Sequence, residues 1–76
     1  MKSMTCRQLG GACDETFSAE TFEEIAEMSK QHGMQMFQAQ DGPHLEAMTK
    51  MKELMKHPDQ MKRWYADRKA EFDALP

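Results

Sequence analysis

The stretch Thr21-Phe22-Glu23-Glu24-Ile25-Ala26-Glu27-Met28-Ser29-Lys30-Gln31-His32-Gly33-Met34-Gln35-Met36-Phe37-Gln38 decides the fold class, because it reads as one long amphipathic helix. Thr21 followed three residues later by Glu24 has the spacing of a capping box. The Thr hydroxyl accepts from the Glu24 backbone N–H, and the Glu24 carboxylate reaches back. Glu23 and Glu24 also suit the positive end of the helix dipole. Phe22, Ile25, Ala26, Ser29, Gly33, Met36 and Phe37 fall on a stripe of period 3.6. The expected helix runs from about Phe22 to Gln38, with Gly33 as a soft spot or early end.

On the N-terminal side of this helix, Lys2 to Phe17 reads as a β-hairpin. Met4-Thr5-Cys6 and Glu15-Thr16-Phe17 are compatible with strands, and Gly10-Gly11 between them is a turn dipeptide. On the C-terminal side, Gln40-Asp41-Gly42-Pro43 breaks the helix and restarts it. Pro43 fits a first helical turn, and Asp41 or Gly42 fits the cap. Leu45, Met48, Met51 and Met55 then share one face of a second helix, with Leu54 beside it. His57-Pro58-Asp59 interrupts, because the residue before a proline is pushed out of the helical region. A third helix places Met61, Trp64, Tyr65, Phe72 and Leu75 on one side and Lys62, Asp67, Lys69 and Asp73 on the other. Short connections imply antiparallel neighbours. The expectation is an α+β fold: a small N-terminal β-hairpin packed on a bundle of about three α-helices. It forms one small domain over 1–76, with hairpin and first helix in 1–38 and a helical hairpin in 43–75.

Seventy-six residues, 39% of them hydrophobic, leave little core to spare. Mean hydropathy is −0.83, and a chain of this size hides only about 60% of its unfolded surface. Nine residues are Met, a flexible side chain that fills gaps without fixing one packing. A staple such as a metal, a disulfide or a partner chain therefore has much to contribute. No run of about 18 apolar residues is present, so no membrane span is expected. The N-terminus shows no apolar signal segment, which makes a cytoplasmic, reducing setting the expectation. There a Cys pair more often binds metal or does redox chemistry than forms a structural disulfide. Net charge is −3, unevenly spread: residues 1–43 carry three basic and seven acidic groups, residues 44–76 seven and six. That is no nucleic-acid footprint.

Cys6 and Cys13 flank the hairpin loop, so their side chains can converge on one point. Two thiolates so placed suit a tetrahedral zinc site. Two small buried hydrophobes, or a disulfide across the hairpin, are the alternatives. His32 lies on the first helix beside the apolar stripe, one turn from Met28 and one from Met36. A helix packed on the hairpin could bring it to the two Cys; otherwise it is a core or boundary histidine.

Cys6, then Gly10-Gly11-Ala12-Cys13-Asp14, then Thr21-Phe22-Glu23-Glu24-Ile25 and His32-Gly33-Met34 resemble, in that order, a family of predicted small metal-binding proteins, a domain of unknown function. The resemblance covers about Met4 to Met34. It implies a Cys, a Cys-Asp pair and His near the end of the first helix as ligands, here Cys6, Cys13, Asp14 and His32. Family members often carry a further His one turn earlier, where this chain has Met28 or Ser29. A structural zinc site wants four donors. Asp14 is the nearest hard donor, His44 could fold back, and water would leave an open site. Zinc is the expected metal. Copper(I) is the softer alternative, since thioether, thiolate and imidazole suit it.

Met48, Met51, Met55 and Met61 have plain helical-core spacing. A Met-rich face of this kind can also accept a partner chain. A homodimer or protein partner through the second and third helices is therefore the alternative reading, a metal-free interaction module. Lys62, Arg63, Arg68 and Lys69 beside Trp64 and Tyr65 suggest nucleic acid only superficially, because Asp59, Asp67, Glu71 and Asp73 lie among them. A catalytic reading would use Cys6 or Cys13 as nucleophile, His32 as base and Asp14 to orient it. Nothing in the spacing requires it, and no phosphate loop or nucleophile elbow is present. The expected function is thus a small metal-binding domain rather than an enzyme, with zinc fixing the hairpin to the first helix.

Overall fold

A computed structural model describes all residues, Met1 to Pro76. Strand β1 (Lys2–Thr5) is followed by a 3-10 turn (Arg7–Leu9), strand β2 (Thr16–Ala19) and three helices, α1 (Phe22–Gln38), α2 (Gly42–Met55) and α3 (Pro58–Ala74). The α+β arrangement of an N-terminal hairpin and three helices is the observed one. β1 and β2 pair antiparallel, Met4 opposite Phe17 and Ser3 opposite Ser18. Successive side chains point to opposite faces. Met4 and Phe17 are accordingly buried, whereas Ser3 and Ser18 face out and share a 2.6 Å hydrogen bond.

The strands differ from the sequence expectation at their inner ends. Cys6 leaves β1 in a right-handed helical conformation and opens the 3-10 turn, and Glu15 lies before β2. Gly10 closes the turn at φ +90°, a left-handed conformation that glycine adopts without strain. The hairpin loop is thus a folded structure in its own right.

α1 forms over the expected residues. Thr21 caps it, its hydroxyl oxygen accepting from the Glu24 N–H at 3.2 Å. The Glu24 carboxylate accepts from the Thr21 hydroxyl at 3.0 Å rather than reaching the Thr21 backbone. Gly33 does not end the helix. The end comes at Gln40, which takes a left-handed φ of 56°. There the Gln40 N–H bonds Phe37 O and the Asp41 N–H bonds Met36 O, both at 3.1 Å. This is a Schellman closure with Gln in the place usually held by Gly. Asp41 then caps α2. Because one residue finishes one helix and starts the next, the α1–α2 connection has no slack. Pro58 opens α3 at a position where its missing N–H costs nothing.

The core is small and lies at one end. Met4, Cys6, Leu9, Phe17, Ala19, Phe22, Ile25 and Phe72 form it. Seven of these come from the hairpin and the first turn of α1; Phe72 is the one contribution of α3. It meets Phe22 edge-on at 5.9 Å between ring centroids. The Lys2 ammonium sits over the Phe72 ring, 5.1 Å from its centroid, and donates to Asp73 O at 3.1 Å. The apolar stripes continue along all three helices without becoming core. Met48, Met51, Leu54, Met61 and Trp64 are half-buried, and Phe37 is 62% exposed. The molecule measures 34 × 27 × 15 Å. In so thin a molecule the hairpin covers part of α1, while the apolar faces of α2 and α3 are left only half covered. No helix is long and apolar enough to cross a membrane.

Since Phe72 is the one side chain of α3 buried in the core, with Tyr65 edge-on to Phe22 beside it, Phe72→Ala should cost about 3–5 kcal/mol. In a domain this small that removes most of the stability. Urea denaturation followed by far-UV circular dichroism should show a lower midpoint, and a shift under 1 kcal/mol would contradict the packing described.

Candidate metal centre

Each donor is delivered by a different local device. Cys6 sits at the end of β1, where its N–H bonds Glu15 O at 2.7 Å and its O accepts from Leu9 and Gly11. The loop thereby folds over its own cysteine. The backbone N–H groups of Cys13 and Ala12 turn inward on the Cys6 thiol. Gly11 makes this possible: a Cβ at that position would collide with Cys6 Sγ and stand 3.0 Å from Cys6 O. Cys13, before β2, is tied to the other side of the loop by Arg7 N–H to Cys13 O at 3.0 Å.

The helices supply two imidazoles. His32 lies in the third turn of α1, its ring edge-on to Phe17 with centroids 5.6 Å apart. His44 lies in the first turn of α2 and is buried, 6% exposed. Asp41 fixes it twice, its carboxylate accepting from the His44 backbone N–H at 3.1 Å and bonding the ring Nδ1 at 2.6 Å. That bond holds the Asp41 carboxyl below the usual carboxylate range. With Nδ1 engaged, Nε2 is the free donor atom and points inward.

The four residues meet. Cys13 Sγ is 3.3 Å from His32 Nε2, and Cys6 Sγ is 3.6 Å from His44 Nε2. The two rings are edge-on, centroids 5.3 Å apart. One ligand atom from each of Cys6, Cys13, His32 and His44 lies within 4.8 Å of every other. Zn–S bonds near 2.3 Å and Zn–N bonds near 2.0–2.1 Å give a tetrahedron with edges of about 3.3–3.8 Å. The two measured edges fall in that range, and the longest separation is about 1 Å beyond it. These residues are therefore close enough to bind a metal ion, in a two-thiol, two-imidazole set.

Both cysteines are free. Burial pushes the Cys6 thiol up, against the two loop N–H groups, which lower it; the neighbouring Cys13 raises it further. Of the residues singled out from the sequence, Cys6, Cys13 and His32 stand in this group. Asp14 does not: its side chain is 85% exposed, with Oδ1 3.2 Å from Arg7 Nε. The place considered for it is filled by His44, brought back by the tight α1–α2 connection. Met28 is exposed and outside the group. Asp41 was visible in the sequence only as a cap. Its second role could have been read from the same spacing, since the third residue after an N-cap Asp projects its side chain beside that carboxylate.

Comparisons with family models, with curated proteins and with solved structures find no match for this chain.

Two outcomes follow from this geometry. Gly11→Ala should displace Cys6 Sγ or open the loop, lowering stability by about 1–3 kcal/mol; urea denaturation reads the loss, and an unchanged midpoint would contradict the close approach. The second concerns pH. Asp41 has a depressed carboxyl in the fold, so its contribution is fully present above the ordinary carboxylate value of about 4. It is lost as pH falls through the lower folded value. In chelator-treated protein, wild type should therefore lose more stability than Asp41→Asn as pH is lowered from 5 to about 3. Parallel curves would mean that the Asp41–His44 bond contributes nothing.

Proposed function

We propose that the chain is a small zinc-binding domain in which Cys6, Cys13, His32 and His44 hold one Zn²⁺ as a structural ion. The observation that carries this reading is the meeting of four donors from the hairpin loop, α1 and α2 at nearly tetrahedral separations. Two thiolates and two neutral imidazoles balance a divalent cation, and a tetrahedral S₂N₂ set suits zinc above the other divalent metals. Four protein donors leave no position for water or substrate, which is the mark of structural rather than catalytic zinc. Asp41 completes the site as the carboxylate that orients a ligating histidine. The cation would also offset the cost of the buried Cys6 thiolate.

In this role the ion substitutes for missing core. It ties the hairpin to α1 and to the start of α2, so its binding energy is folding energy. Copper(I) is the less suited metal, because none of the four donors is a thioether. Kinship with the family of small metal-binding proteins is part of the same proposal and rests on the ordered run from Cys6 through Cys13-Asp14 to His32. A cytoplasmic setting, where thiols stay reduced, fits the two free cysteines. A second reading, a metal-free module that docks a partner or a second copy on α2 and α3, draws on the half-buried Met face of those helices.

Elemental analysis of the purified chain should give close to one zinc per chain. Chelation should lower the melting temperature, and Cys13→Ser or His44→Ala should abolish stoichiometric binding. Asp41→Asn should retain zinc with about 10–100-fold weaker affinity. A chain that melts identically with and without zinc, and with Cys6→Ser and Cys13→Ser combined, would overturn the zinc reading and favour the interaction module.

A further inference from the structure

The helices α1, α2 and α3 do not close on one another. Between them and the hairpin loop lies a cleft of about 340 Å³. Its lining is mostly apolar: all four methionines of the C-terminal half, with Phe22 and Trp64, contribute to it. Met51 and Trp64 pack close against Gly10 of the loop, where a Cβ would stand 3.3 Å from Met51 Sδ and 3.4 Å from Trp64 Cζ2. Cys6, His32 and His44 form part of one wall, but their donor atoms are turned to one another. The cleft is therefore a site beside the four-donor cluster and not the cluster itself.

Lys30 is the one formally charged side chain in the lining. It is exposed and takes part in none of the chain's ion pairs. A chain so short of core leaves Met48, Met51, Met61 and its only Trp half-covered, and Met55 exposed, around an open space. We propose that this cleft is a binding site for a small amphiphile with an apolar body and one anionic head group, the body against the methionines and Trp64 and the head at Lys30.

Size and shape select this occupant. A volume near 340 Å³ is at the small end of ligand pockets, which are mostly apolar with a few placed polar groups. A second copy would have to offer, on the same face as the cleft, a projecting apolar element that enters the partner's cleft; Lys30 in the lining favours an anionic occupant instead. Methionine suits a ligand of variable shape, since its unbranched chain repacks at little cost.

Trp64 is the only Trp and lines the site, so its fluorescence reports occupancy. The full chain, with one equivalent of zinc and without, would be titrated with decanoate below its micellar concentration. Decyltrimethylammonium and decanol serve as head-group controls. Saturable one-to-one binding of decanoate is expected. The ammonium compound should bind about three- to tenfold more weakly, from exchanging one rim attraction for a repulsion. Lys30→Glu should reverse that order, and Ala47→Phe, which fills the cleft, should abolish binding while circular dichroism is unchanged. No saturable response, equal affinity for all three head groups, or a Trp64 signal that tracks protein dimerisation instead of ligand would each overturn the proposal.

Discussion

The hydrogen bond between Asp41 and His44 is the point on which the arrangement turns. Asp41 closes α1 through its N–H to Met36, opens α2 by accepting from the His44 N–H, and holds the His44 ring by Nδ1 at 2.6 Å. A single residue thus sets the angle between two helices and the direction of an imidazole. Had α1 ended in a longer loop, α2 could still pack against it, but His44 would have no reason to face the hairpin. The bond is short, and it is charge-assisted, the stronger class, because its acceptor is an ionised carboxylate. It is also local, spanning three residues, so it forms without the loop-closure cost of a distant contact.

The hairpin loop solves the complementary problem. Two thiols that are to face one another must be brought within a few ångströms without a disulfide, and here the backbone does it. The loop wraps Cys6 with N–H groups from Ala12 and Cys13, a close approach that only glycine at position 11 permits. Those N–H groups favour the thiolate while burial disfavours it. The loop and the α1–α2 connection are both closed by backbone hydrogen bonds, and each helps deliver donors to the four-donor cluster. Elsewhere the packing is loose, as the shallow core and the half-covered methionines show.

Much of this was legible in the sequence. The α1 boundaries followed from Thr21, the acidic first turn and the 3.6-residue stripe, because capping and periodicity are local. The hairpin and the three-helix order were legible for the same reason. Cys6, Cys13 and His32 could be named as a set, since chemistry-bearing residues are few in so short a chain. His44 could be offered only as one candidate for the fourth position. Its inward aim depends on a left-handed turn at Gln40, a residue with no intrinsic preference for that conformation. Asp14 drew attention by adjacency to Cys13, yet a residue next to a turned-in side chain projects outward, and it pairs with Arg7 instead. The stripes on α2 and α3 gave the right faces and the wrong burial. Periodicity reports which side of a helix is apolar, not whether the fold is thick enough to cover it.

The placement of the four donors also bears on the order in which the chain takes shape. The last of them is residue 44, so the complete set comes from the hairpin, α1 and the first turn of α2 and needs nothing from α3. The hairpin, α1 and the first turn of α2 can gather around the cluster before α3 docks. α3 then arrives onto a platform already assembled, and Phe72 is inserted as the closing piece of the core. A chain with the same contacts but its cysteines in the last helix would have nothing to assemble until that helix formed.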